Sequence, residues 1–577
     1  MNALSSRSRW LIVVAVFAVF VSACAGTTED TTTTAAAEAT TTSAAAEGTT
    51  TTAAQAEQGA MTYTIDIAEE AVWSDGTPIT VADIECTWQA FLNTPGSLST
   101  SGYDQITSVS AGTSDKQAVI EFATVYAPYK VLFNQILPAH TVADCNDVSG
   151  DFQTEIPVSA RPWQLSEWSD QQAILVPNEA YWGDDVPVAS RLVQVPRTDD
   201  GGIAALQAGE VDFIFPQAFA GIGDALAADN IQFEPGYGTN YEGLYFRQGG
   251  DVAEFPFSDP VFRQAFSMSV DRELILANIY DPIFPGSPLL QCGLWVPTIG
   301  AWCDNTQFEN SFDPEGAAAL LEENGWTQDG SGMWANADGV VPEIQWMVNE
   351  PNQRRADAQA LMIPEFQALG FNVVADNGDA ATVFQQRLPA GEYDLAMYIT
   401  TAAPDPSVTA IMSCDQVPSP ENNNQGQNSV FWCNEDASAL MAESDVTIDE
   451  AARADLIHQV GQALVDDHVL LPLFQFPNIA AWRTDRIEGD AAAADAANYR
   501  AYNNSSNAWT PIGKEDVVVG AEQWPECINP VTECANSSWM VWTTSFAVLP
   551  AVFDTTADGQ FVPTNMVASE PTVTVNE

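Results

Sequence analysis

The residues of this 577-residue chain whose spacing bears most directly on chemistry are its nine cysteines. Cys24 stands close behind an apolar run. The other eight are Cys86, Cys145, Cys292, Cys303, Cys414, Cys433, Cys527 and Cys534. An even set in an exported chain points to disulfides, although eight cysteines allow on the order of a hundred connectivities. Sequential pairing is expected, because Cys292/Cys303, Cys414/Cys433 and Cys527/Cys534 would close short loops in Pro/Asn/Gly-rich stretches. Zinc is the rival reading, but there is no CxxC, and only three histidines, His140, His458 and His468, are present. With 78 acidic residues, neighbouring carboxylates are inevitable and single out no acid–base pair. No P-loop, HExxH or GxSxG is present. The chain therefore reads as a non-enzyme with no cofactor and no metal.

The charge balance excludes further classes. Only 18 Lys and Arg stand against the acids, for a formal net charge of −60. Phosphate binding needs clustered cations, so nucleic acid is excluded, as is adhesion to anionic lipid. At 46% hydrophobic and 10% aromatic the body must fold. Arg7 and Arg9 precede the apolar run Leu11 to Val21, which has the length of a signal h-region and is too short to span a membrane. It ends in Val21-Ser22-Ala23-Cys24, which resembles a bacterial lipobox, so residues 1–23 read as a signal peptide and Cys24 as the lipidated mature N-terminus. An ordinary signal peptide or an uncleaved anchor is the alternative. Residues 24–60, rich in Thr and Ala, read as a disordered tether between lipid and body.

The elements behind these residues alternate between α and β. Tyr63 to Ile67 alternates like a strand. Thr80 to Phe91 reads as a helix, with Thr80 as cap and Asp83 at the third helical position. Asp313-Pro314 opens a helix running to Gly325. Arg354 to Leu369 is helical, stops at Gly370 and should kink at Pro364, with a strand following at Phe371 to Ala375. Asp449 to Asp467 is a long helix before a buried strand, Leu470 to Phe476. Such alternation gives mixed sheets covered by helices.

One run of motifs is more specific. Tyr63-Thr64-Ile65-Asp66 through Trp73-Ser74-Asp75-Gly76-Thr77-Pro78 resembles the signature region of extracellular solute-binding proteins of family 5, the peptide- and nickel-binding components of ABC importers. Further matches follow in family order: Tyr181-Trp182-Gly183, Ala205-Leu206-Gln207-Ala208-Gly209, Phe262-Arg263-Gln264-Ala265-Phe266, Tyr393-Asp394-Leu395 and Leu471-Pro472-Leu473-Phe474. The resemblance implies a type II periplasmic-binding-protein-like α/β flytrap of two lobes and an extra domain. By the same likeness, lobe I would comprise 61–73, 160–245 and 485–577, the extra domain 74–159, and lobe III 246–484. The family's opening segment, a strand followed by an Ile-Asn-Pro type run, has its likeness at the C-terminal end, in Val517-Val518-Val519-Gly520-Ala521 and Ile528-Asn529-Pro530. A circular permutant is therefore expected. A truncated tandem copy and an intermolecular swap are the rivals.

The resemblance also implies a solute between the lobes. Its lobe III wall would be Tyr398, Thr400, Thr401 and Ala402, leading to Asp405 as the nearest carboxylate for a peptide amine. Tyr241, Glu533, Ala535 and Asn536 would face them, with Trp295, Phe474 and Trp482 as candidate cleft aromatics. The expected protein is a monomer on the outer face of the cell membrane, held there only by lipid. It would capture an oligopeptide-like solute for a permease and ATPase on separate chains. Oligosaccharide or metal-chelate binding by the same fold, or a surface lipoprotein for sensing or adhesion, remain open.

Overall fold

The computed structural model describes residues 59–576, apart from 198, 217, 310, 381, 403–404, 420–425, 490–504, 522–523, 533–538 and 557–558. The signal peptide, Cys24 and residues 25–58 of the expected tether lie outside them, and the body begins within the second of two units, Glu57–Glu577. Ala60 N–H donates to the Phe122 carbonyl at 2.9 Å, so residues 59 and 60 already belong to the folded body.

Two sheets organise the body. The smaller has four strands: β1 (Met61–Asp66), β2 (Ile106–Ala111), β3 (Gln117–Phe122) and β14 (Thr572–Val575), in the order β2-β3-β1-β14. Strict alternation along β1 puts Met61, Tyr63 and Ile65 into the core. Helix α1 (Val81–Asn93) follows β1. Its capping box is present as expected: Thr80 N–H donates to Asp83 Oδ2 at 2.8 Å, while the Thr80 side chain takes a helix-start N–H.

The larger sheet has ten strands. They are β4 (Trp163–Trp168), β5 (Ala173–Pro177), β6 (Arg191–Pro196), β7 (Phe213–Ile214), β8 (Ile231–Phe246), β9 (Glu343–Met347), β10 (Asn372–Ala375), β11 (Leu395–Thr401), β12 (Leu470–Arg483) and β13 (Asp516–Ala521). Their order is β10-β9-β11-β8-β12-β7-β13-β6-β5-β4. The long strands β8 and β12 run antiparallel and belong to both halves. Pro472 and Pro477 carry no N–H for the ladder, and the β12 register shifts at Pro472/Phe474 and Gln475/Pro477. One half of this sheet is covered by helices α2 (Pro260–Met268), α3 (Pro314–Glu323) and α4 (Gln353–Ala368) on one face and α5 (Glu435–Val446) and α6 (Glu450–Asp466) on the other. Helix α4 passes through Pro364 as a single element. This is the expected two-lobed α/β fold.

The C-terminal segment is integral to both sheets. Strand β13 lies between β6 and β7, parallel to each, with Val519 opposite both Gln194 and Phe213. Strand β14 pairs antiparallel with β1, Val573 opposite Tyr63, and Asn576 N–H reaches the Ala60 carbonyl at 2.9 Å. Disulfides join Cys86 to Cys145, Cys292 to Cys303 and Cys414 to Cys433. Cys527 is also disulfide-bonded, while Cys534 lies outside the described residues.

Candidate functional site

The register locates the cleft. In one half of the large sheet, β7, β13 and β6 are parallel; in the other, β10, β9 and β11 are. Ile214 at the carboxyl end of β7 lies opposite Ala481, and Thr401 at the carboxyl end of β11 lies opposite Asn240. Both sets of carboxyl ends therefore point to the middle of the crossover strands, near Tyr237 to Asn240 and Pro477–Asn478. In open α/β sheets, ligands bind outside the carboxyl ends of the strands.

The last residues of β11 build a polar wall there. Tyr398 is half-buried and stacks on Tyr245, with ring centroids 4.0 Å apart and planes 11° apart. Tyr245 lies flat because its neighbour Gly243 has no side chain; a Cβ there would approach the Tyr245 ring to 3.3 Å. The Tyr245 hydroxyl and Thr400 Oγ1 are 2.6 Å apart. Thr401, which is exposed, donates from Oγ1 to Asn240 Oδ1 at 2.8 Å, and Asn240 Nδ2 donates to Asn478 Oδ1 at 3.3 Å. A ladder Thr401–Asn240–Asn478 thus crosses three strands at the point where the halves meet. Ala402 is buried, its N–H donating to the Thr239 carbonyl.

Several expected site residues are placed differently. Tyr241 and Trp295 are completely enclosed in the core under α5 and α6, and burial pushes the Tyr241 hydroxyl up to about 12. Phe474 is buried against Tyr280, centroids 4.2 Å apart. Trp482 is buried in the large sheet beside β7. The faces of the crossover strands that carry Tyr241, Phe474 and Trp482 are covered, so these aromatics pack inward and present no open platform. Asp405 is also not free for a ligand amine. It is buried and paired with the Arg453 guanidinium, which also donates to the Pro406 carbonyl at 2.6 Å. Burial raises the Asp405 carboxyl and Arg453 opposes this. Glu533, Ala535 and Asn536 lie outside the described residues.

Other residues become visible only in three dimensions. Glu242 on β8 is wholly buried. It accepts from Arg354 Nε at 2.8 Å, Arg355 Nε at 2.5 Å and the Tyr280 hydroxyl at 2.7 Å. Arg354 also donates to the Ala218 carbonyl at 2.8 Å, tying α4 to the segment after β7. Burial alone would raise Glu242; the two guanidiniums hold it down, at about 2. A sequence signal existed: two arginines at a helix N-terminus oppose the helix dipole and need a buried anion. At the carboxyl end of β4, half-buried Trp168 stacks on Trp524, centroids 4.9 Å apart and planes 6° apart. Among the described residues no group of His, Cys, Asp and Glu could hold a metal ion, and no helix is long and apolar enough to cross a membrane.

Two lobes joined by long crossover strands, with a hydrogen-bonding wall where their strand ends meet, define a solute-binding protein. Residues 43–418 match the family described as bacterial extracellular solute-binding proteins, family 5 Middle, and the chain belongs to that family. The oligopeptide-binding protein OppA of Mycobacterium tuberculosis (strain ATCC 25618 / H37Rv) is 26% identical over 453 residues, covering 76% of this chain and 73% of its own. The dipeptide-binding protein DppE of Bacillus subtilis (strain 168) is 22% identical over 455 residues, covering 74% and 78%. Among solved structures, the periplasmic EDTA-binding protein EppA aligns with a TM-score of 0.67 at 22% identity, covering 78% of this chain and 85% of its own. The Bacillus subtilis oligopeptide-binding protein AppA, solved with a nonapeptide, aligns at 0.65 and 19% identity, covering 79% and 88%. The protein is a binding protein of a transport family and not an enzyme.

Proposed function

We propose that this protein is the substrate-binding component of an ABC importer, tethered by lipid at Cys24, that captures an oligopeptide-like solute between its lobes. The single observation that carries the reading is the Tyr398–Thr401 wall at the meeting of the two sets of carboxyl ends. Its Thr400 and Thr401 hydroxyls, Asn240 amide and Tyr398 ring edge suit a ligand rich in amide hydrogen-bonding groups. The peptide-binding relatives support the solute class. Capture works by hinge closure about β8 and β12, driven by better contacts in the closed state. Moving such an equilibrium from 1:99 to 99:1 takes about 5.5 kcal/mol of differential binding. The loaded form then docks on a permease carried by a separate chain.

The test is native mass spectrometry of co-purifying solute, followed by calorimetry with any recovered peptide. Tyr398→Ala should lower the affinity roughly tenfold, about 1.4 kcal/mol. Recovery of an oligosaccharide in place of peptides would overturn the solute class. We propose in addition that the chain order is circularly permuted. The support is that β13 fills a central place in the large sheet while β14 runs beside β1, with the Asn576 N–H bonded to the Ala60 carbonyl.

A further inference from the structure

Three contacts join segments whose cores lie on opposite sides of the cleft. Ala127 N–H donates to the Asp445 carbonyl, near the end of α5, at 2.6 Å. Gln427 Nε2 donates to the Leu98 carbonyl at 3.2 Å. A Cβ on Gly559 would lie 3.1 Å from Ile299 Cγ2, so these two segments touch. Ala127, Leu98 and Gly559 belong with the small sheet and the C-terminal strands; Asp445, Gln427 and Ile299 belong with lobe III.

Around the first contact, the charges form two facing layers. On the lobe III side, Asp405 and Arg453 are paired, and Asp445 accepts from Thr409 Oγ1 at 2.6 Å. Formally, these three ionisable groups carry one net negative charge, and Glu450 adds its own field at Asp405. On the small-domain side, Tyr126, Ala127 and Pro128 are buried, and Tyr129 and Lys130 are half-buried. Lys130 lies close enough for its charge to act on Asp405, and Tyr126 senses Asp445, Asp405 and Arg453. The acidic patch thus meets Lys130 and a tight apolar turn, with Glu570 also acting on Tyr129, and Asp405 is occupied by the protein itself.

We infer that Lys130 and the Tyr126–Pro128 turn are positioning residues for closure, seating the small-sheet side on the Asp405–Arg453–Asp445 patch and raising the share of closed molecules before solute binds. This rests on the binding-protein reading but not on which solute is bound. The experiment is small-angle X-ray scattering on the full chain stripped of solute, with circular dichroism to establish folding. Lys130→Glu replaces the cation that acts on Asp405 with an acid, beside Asp445 and Glu450, and should shift the radius of gyration upward; Lys130→Arg should keep the wild-type value. Gln427→Ala, a surface change that removes the second contact, should shift it the same way by less. Equal radii for all four proteins, or a wild-type radius already as large as that of Lys130→Glu, overturns the inference. Because the readout needs no ligand, failure to recover a peptide would count against the proposed solute alone.

Discussion

Asp394 shows how one side chain can set the stability profile. It precedes β11, is almost fully buried, and accepts the Gln345 N–H at 2.8 Å. Burial pushes its carboxyl up to about 6 from an ordinary 3.8, against the lowering effects of that hydrogen bond and of Arg247. The folded state therefore holds the proton more tightly than the unfolded chain does. Its contribution is fully present below the unfolded value of 3.8 and is lost as pH rises through about 6. Above that, a buried carboxylate costs on the order of 3 kcal/mol. Asp394→Asn should raise the urea midpoint at pH 8 and change it little below pH 4. A lower midpoint at pH 8 would show that the charged form is stabilising.

At the scale of elements, the Glu242 cluster fastens crossover strand β8 to helix α4. Glu242→Gln leaves two buried guanidiniums without their carboxylate and should cost about 3–5 kcal/mol at neutral pH. Urea denaturation measures this, and a loss under 1 kcal/mol would mean that water or another group already compensates them. The same elements show what was legible in the sequence. Capped helices were readable because caps are local: Thr80 and Asp313 each take an N–H of the first turn they precede. Strand β13 was readable only through the likeness of Val517 to Ala521 to the family's opening strand. Which aromatics line the cleft was not, because alternation gives two faces without saying which one a helix will cover. That is why Tyr241, Phe474 and Trp482 are core residues. Nor could the fate of Asp405 be read, since its partner Arg453 lies 48 residues further on.

For the whole molecule, the charge imbalance has a structural side. Eight arginines among the described residues are buried, each serving a fixed contact or packing place inside, so the surface is left to the acids. The rotated order can be tested at this scale. A chain that begins at Asp516, joins Asn576 to Met61 through a short loop and ends near Trp509 keeps every strand pairing described. It should fold with the same far-ultraviolet spectrum and bind the same solute within a few-fold. Failure to fold would argue that the present order is needed and that the C-terminal strands are not the body's own displaced beginning.

The position of β1 has a mechanical consequence. Everything before Gly59 enters the body at the end of a strand bonded on one side to β3 and on the other to β14. Tension on that leading segment is received by an interior strand, and pulling it free means shearing two antiparallel ladders together. An edge strand would peel one bond at a time. The C-terminal strand, last in the chain, is thus half of the grip that resists a pull from the first residues.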